Sequence, residues 1–192
     1  MRSLIFPGPS IKLPPVAGPS LGATLAVLRH EDRFAVTPAG HVPLVHLAPV
    51  DSIESDFVAV AERFLGVPYL WGGRTSLGLD CSGLVQVALK ACGIAAPRDT
   101  DLMEPVVGMP VAPGADLTTL RRGDLIFWKG HVAIVRDGTT LMHANAHHMA
   151  VVIEPMAEAI ARIAAAGSTV TSIRRLSALS AAGGVNSPSD GR

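Results

Sequence analysis

Residues 66–93, GVPYLWGGRTSLGLDCSGLVQVALKACG, change character half-way. Up to Leu79 the stretch is dense in Gly and carries Pro68, Tyr69 and Trp71, whereas from Cys81 onward Leu84, Val85, Ala88, Leu89 and Cys92 recur at helical spacing. The reading is a loop that runs into a buried helix. Asp80 is a good N-cap and Gly93 a good residue just past the C-terminus, so the Cys81 thiol falls in the first helical turn. Unpaired N–H groups and the positive end of the helix dipole there favour the thiolate, which is the nucleophilic form. Gly83, beside it, leaves room for substrate.

A free Cys is by default a small buried hydrophobe, so Cys81 needs partners before it counts as a nucleophile. Cys92 is the internal control: it sits on the apolar side near the helix end and reads as core. The two thiols cannot pair, because eleven helical steps hold them about 16 Å apart, beyond disulfide reach. Two unpaired cysteines fit a reducing compartment or a protein that does not use disulfides.

The 192 residues suffice for one domain, or one domain plus a small module. Apolar residues make up 48% and charged residues 17%, and 16 Lys+Arg balance 16 Asp+Glu, so no global field favours nucleic acid or an anionic membrane. Recognition is therefore local. The apolar run of MRSLIFPGPS stops at Pro7, too short for a signal peptide's hydrophobic region, and no segment approaches a membrane span. The expectation is a cytoplasmic chain, or an exported one if a signal lies upstream.

Residues 1–50 are rich in Pro and Gly, with β-like runs at Thr24–Leu28, Phe34–Thr37 and His41–Leu44, as in a small all-β module. At Asp51 the pattern changes. Asp51 followed by Glu54 resembles a capping box, and Ile53, Phe57, Val60, Ala61 and Phe64 trace one helical face of a second domain, 51–176. After the Cys81 helix, residues 94–122 hold Pro97, Pro105, Pro110 and Pro113 and read as a functional wall. Strands follow at Asp124–Trp128, His131–Val135, Thr140–Ala144 and Met149–Ile153, then a helix over Met156–Ala166, a last strand at Thr169–Arg174, and a disordered tail over 177–192.

A catalytic thiolate needs a base, and the base needs an orienting group. Of seven histidines, His131, His143, His147 and His148 lie in the second domain. If Arg136-Asp137-Gly138 forms a three-residue loop, residue 135 faces 139 and His131 faces His143, giving a Cys–His–His line with one ring as base and the other as orienter. A different loop length would put the rings on opposite faces. The competing readings are satisfied polar residues at strand ends, and a zinc site. The latter is disfavoured, since an i, i+4 pair such as His143 and His147 binds metal on a helix and these flanks are β-rich. His147 and His148 are expected on a rim or exposed.

Pro68-Tyr69 with Gly72-Gly73, Asp80-Cys81-Ser82-Gly83, Arg121-Arg122-Gly123-Asp124-Leu125, Gly130-His131-Val132-Ala133 and His143-Ala144 together resemble, in order and spacing, the NlpC/p60 cell-wall cysteine peptidases. The resemblance covers about residues 52–175. It implies an α+β, papain-like domain whose Cys-bearing helix packs on an antiparallel sheet, with Cys81 as nucleophile, His131 as base, His143 as orienter and Tyr69 in the oxyanion region. It also implies that residues 1–50 are a bacterial SH3-like module. The implied substrate is a murein peptide, cleaved between γ-D-glutamate and a diamino acid, with Asp80, Ser82, Asp99 and Thr100 holding its charged ends. It implies no cofactor and no metal. Two-module relatives carry a first SH3-like module with no counterpart here, which implies a truncated chain or relaxed selectivity for the free amino terminus. The rival readings are a non-catalytic wall-peptide binder and another acyl chemistry, amidase or transferase, on the same scaffold.

Overall fold

The structure is a computed structural model that describes residues 2–111 and 117–176; Pro113 and the expected tail lie outside the described residues. Three short antiparallel strands, β1 (Arg29–Glu31), β2 (Phe34–Thr37) and β3 (Gly40–Pro43), form the N-terminal sheet. Isolated bridges tie Arg2 to Ser20, Ile5 to Ala17 and Phe6 to His41, and Ile5, Phe6, Phe34, Ala35, Val36 and Val42 are buried between them. The strand expected at Thr24–Leu28 is absent. The β-structure starts at Arg29 instead, because the tight turn that fixes its register lies at Asp32, whose φ is +50°.

Helix α1 covers Phe57–Glu62 and begins later than the capping-box reading expected. Its N-cap is Asp56, whose carboxylate accepts from the N–H groups of Val58 and Ala59, and Ile53 is exposed. A side-chain acceptor placed one residue before an apolar turn satisfies the orphan donors directly, so it outcompetes the upstream Asp51. A small hairpin, β4 (Arg74–Thr75) and β5 (Gly78–Leu79), then leads into helix α2, Cys81–Ala91, whose bounds and caps are those read from sequence. Gly93 takes φ +73°, the left-handed conformation that ends a helix. The wall holds the single-turn helix α3 (Thr100–Met103) and the short strand β6 (Met109–Pro110).

The C-terminal half is a sheet built from β7 (Leu125–Trp128), β8 (His131–Val135), β9 (Thr140–Asn145) and β10 (Ala150–Pro155), followed by helix α4 (Met156–Ala165) and strand β11 (Val170–Arg175). The strand order is β10-β9-β8-β7-β11-β6, with every pairing antiparallel. Alternation splits the side chains between the two faces. Leu125, Phe127, Val132, Ile134, Met142 and Ala144 pack against α1 and α2, and Ile126, Trp128, Ala133, Val135 and Leu141 pack against α4. Each fully buried Leu, Ile or Phe contributes about 1.5–3 kcal/mol, so this two-faced core dominates the stability of the domain.

Gly83 has a different reason to be small from the one expected. A Cβ there would lie 2.2 Å from the backbone oxygen of Gly73, so the bare helix surface admits the neighbouring loop and leaves no spare space for substrate. Gly83→Ala is accordingly expected to lower unfolding free energy by about 1–3 kcal/mol, the usual cost of overpacking, in urea titration. An unchanged midpoint and slope would show that the loop can step aside at no cost.

Candidate active site

Asp80 sets the position of the thiol. Its Oδ1 accepts from the Gly83 N–H at 2.7 Å, which caps α2, and its Oδ2 accepts from the Gly72 N–H at 2.8 Å, which ties down the preceding loop. Arg98 then grips both oxygens, NH1 to Oδ1 at 2.9 Å and NH2 to Oδ2 at 2.6 Å, and also donates to Ser82 Oγ at 2.9 Å. Cys81 is thereby held at the start of α2, its Sγ 3.8 Å from Thr100 Oγ1 and 4.0 Å from the carbonyl oxygen of Gly130, the residue before His131. Burial pushes the thiol up from its ordinary value. Hydrogen bonding from the Val132 N–H, the Thr100 hydroxyl and the Ser82 N–H pulls the other way, and the Asp80 charge adds to the rise. The helix start alone therefore does not make a resting thiolate, contrary to the sequence expectation, because desolvation outweighs it. The thiol needs a base.

A histidine pair is organised from the other face of the sheet. His131 Nε2 and His143 Nδ1 are 2.8 Å apart, and His143 Nε2 is 2.5 Å from Glu154 Oε1, which also accepts from Arg162 NH2 at 2.5 Å. Burial is the main cause that lowers both histidines, His131 to about 3, so both rings are neutral at neutral pH. The tautomers then follow from the partners. A carboxylate only accepts, so His143 carries its proton on Nε2 and offers Nδ1 as acceptor; His131 fills it with its Nε2–H and is left with a bare Nδ1. A bare imidazole nitrogen next to Gly130, whose carbonyl faces the thiol, is what proton abstraction from Cys81 requires.

The expected hairpin register is corrected here. Val135 pairs with Leu141 and Ile134 with Met142, so the loop is longer than three residues and His131 lies diagonal to His143. Asp137 is the cause: its carboxylate collects the Thr140 hydroxyl and the N–H groups of Thr139 and Thr140, lengthening the turn. The slip is of two residues, and an even slip keeps both rings on one face.

The remaining sequence candidates divide. Tyr69 is half-buried near the thiol, and burial, then the charges of Cys81 and Asp80, raise its phenol, which stays a donor. Asp80, Ser82 and Thr100 are buried and engaged with Arg98 or the Cys81 sulfur, while Asp99 is exposed and its carboxylate makes no hydrogen bond with the described residues. His147 and His148 are exposed, and no group of His, Cys, Asp or Glu fit to hold a metal ion occurs among the described residues. Cys92 is buried in the core. Glu154, Arg162 and Arg98 were not singled out from sequence. Glu154 left one trace, as the only charged residue of the run AVVIEP.

Residues 66–167 match the NlpC/P60 family model, and this segment holds every residue of the thiol–imidazole–carboxylate line. The chain belongs to the NlpC/P60 family. It is 33% identical over 100 residues to dipeptidyl-peptidase 6 of Lysinibacillus sphaericus, covering 52% of this chain and 35% of that protein. It is 36% identical over 98 residues to a gamma-D-glutamyl-L-lysine dipeptidyl-peptidase of Bacillus subtilis, covering 46% and 31%. A solved NlpC/P60 family protein from Bacillus cereus superimposes with a TM-score of 0.70 at 25% identity, over 91% of this chain and 60% of that one. This NlpC/P60 chain thus spans about a third of the length of those two curated relatives.

Two measurements probe the network. Glu154→Gln removes the charge that fixes the His143 tautomer, and is expected to lower kcat by about 10²-fold or more while leaving KM within a few-fold, because base catalysis supplies about 10²–10⁴-fold. A loss confined to KM would assign Glu154 to binding. The second is stability against pH. An unfolded imidazole takes up its proton near 6.5 and the folded His131 resists to about 3, so the unfolded chain binds more protons between those values and stability falls with pH. Between pH 6.5 and 5, where carboxylates stay charged, Tm is expected to drop, and to drop less in His131→Gln. A flat Tm in the wild type would contradict buried neutral rings.

Proposed function

We propose that the chain is a cysteine peptidase that hydrolyses murein peptides at the bond between γ-D-glutamate and a diamino acid. The observation that carries this reading is the polarised line Glu154–His143–His131, which ends in a bare imidazole nitrogen next to Gly130, the residue whose carbonyl meets the Cys81 thiol, and which has a use if a proton leaves that thiol and returns. Cys81 Sγ gives its proton to His131 Nδ1 and attacks the γ-carbonyl; His131 returns the proton to the leaving amine, and the acyl-enzyme remains. Water, deprotonated by the same nitrogen, then releases the acid and regenerates the thiol. Tyr69 is the side-chain donor offered to the oxyanion, and the Asp99 carboxylate is a group free to meet the substrate's ammonium. The names of the two curated relatives, both dipeptidyl-peptidases, support the reaction class. A binder would have no need of the whole line. We place the reaction in the cytoplasm if no export signal precedes the chain, and read residues 1–50 as an SH3-like module flanking the site.

Incubation with L-Ala-γ-D-Glu-diamino-acid peptides, followed by mass analysis, is expected to give the dipeptide and the free diamino acid. Cys81→Ala abolishes this, Cys92→Ala stays within a few-fold of wild type, and His131→Ala loses more than His143→Asn. Intact peptide at all times would turn the reading towards a binding module, and transfer products in place of acid would turn it towards acyl transfer. Equal losses in the two cysteine variants, both folded, would remove Cys81 as the sole nucleophile.

A further inference from the structure

On the α4 side of the histidine pair lies a cavity of about 210 Å³. Besides His131 and His143 it is lined by Lys129, Asn145, His147 and Arg162. Asn145 is only 6% exposed. Its Oδ1 accepts from the backbone N–H of His148 at 2.7 Å, and because an N–H requires an oxygen, the amide cannot be turned round. Its Nδ2 is then a buried donor with no hydrogen-bond partner among the described residues. Such a group is costly unless an acceptor arrives. Lys129, exposed in the turn before His131, has no carboxylate partner among the described residues, and Arg162 commits only NH2 to Glu154. The walls thus offer an orphan amide donor, an ammonium and spare guanidinium N–H groups to one small space. That chemistry calls for an anionic acceptor, and a carboxylate fits the volume.

The location says which carboxylate. His131 returns its proton to the departing amine, so the residue that departs must sit against His131, and this cavity has His131 in its wall. We propose that the cavity is the subsite for the leaving diamino acid and binds a carboxylate of that residue. The assignment rests on the peptidase reading above. Two carboxylates on the leaving residue share this chemistry: the α-carboxylate, free when the diamino acid ends the peptide, and a second one at the far end of the side chain, present in diaminopimelate and missing from lysine.

Three peptides with the same L-Ala-γ-D-Glu half separate the sources: one ending in lysine free acid, one in lysine amide, and one in diaminopimelate with its α-carboxylate amidated. The readout is kcat/KM. A charged hydrogen bond in a partly buried site corresponds to about a ten- to hundred-fold preference. Free acid over amide by that factor assigns the α-carboxylate, and the diaminopimelate amide over the lysine amide assigns the side-chain carboxylate. Lys129→Met is expected to shrink whichever preference is seen, and Lys129→Glu to abolish or reverse it. Each ratio is taken within one protein, so a general loss of rate does not shift it. Equal kcat/KM for all three peptides, or a preference that both Lys129 variants leave unchanged, overturns the subsite while the peptidase reading stands. No hydrolysis of any of the three overturns both.

Discussion

Everything at the thiol end of the site hangs on one buried carboxylate. Removing Asp80 from water is tolerable only because each oxygen is met by a backbone N–H and by one arm of Arg98. Those four bonds fix three things that are far apart in sequence: the first turn of α2, the loop through Gly72 and Gly73, and the start of the wall at Arg98. Arg98 also donates to the Gly73 carbonyl, the same oxygen against which the bare Cα of Gly83 packs. The Cys81 thiol is positioned by a network that includes neither histidine. Asp80 is thus fully engaged by the bidentate guanidinium, whereas the carboxylates of Asp99 and Asp101 on the wall are exposed and make no hydrogen bond with the described residues.

The basic end is built from a different layer. Cys81 belongs to the core between the sheet and α1/α2, whereas His131 and His143 alternate with residues of that core and so face α4, as do Glu154 and Arg162. The two halves meet only at the end of the sheet, where the Gly130 carbonyl reaches the sulfur. Separate support for thiol and imidazoles lets each carry its own electrostatic setting. Burial holds the thiol protonated on one side and both imidazoles neutral on the other, so the resting site holds no thiolate–imidazolium pair. Arg162 moderates the arrangement: it binds Glu154 strongly enough to keep that carboxylate ionised, yet its charge opposes protonation of both rings. The partners thus leave one bare ring nitrogen, His131 Nδ1, at the end of the line.

What could be read from the sequence was local. The bounds of α2, its caps and the strand His131–Val135 follow from periodicity and Gly placement, and the structure has them as read. So does the pairing of His131 with His143, although the counted register was two residues out and survived because side-chain direction repeats every second residue. What could not be read depends on three-dimensional neighbours. Asp51 and Asp56 offer equal capping chemistry on paper, and tertiary packing chose the second. The sign of the Cys81 shift depends on how deeply the thiol is buried, which the helix position does not reveal. Arg98, Glu154 and Arg162 are ordinary charged residues in sequence. Their roles appear only once the wall, β10 and α4 are folded against the site.

The segment before the N-terminal sheet adds a last constraint. Ser20 Oγ accepts from the Ser76 N–H at 2.8 Å, in the hairpin β4–β5, and Leu21 packs against the core that holds Cys81. A single hydrogen bond of this kind is worth only about 0.5–1.5 kcal/mol, so it cannot define the hairpin by itself. It does decide which way the hairpin is braced. One strand of that hairpin ends at Leu79, directly before Asp80, and its neighbours Gly72 and Gly73 are bonded to the Asp80–Arg98 node. The loop that carries the exposed Trp71 and Leu70 is therefore held from the N-terminal side at Ser76 and from the catalytic side at Asp80.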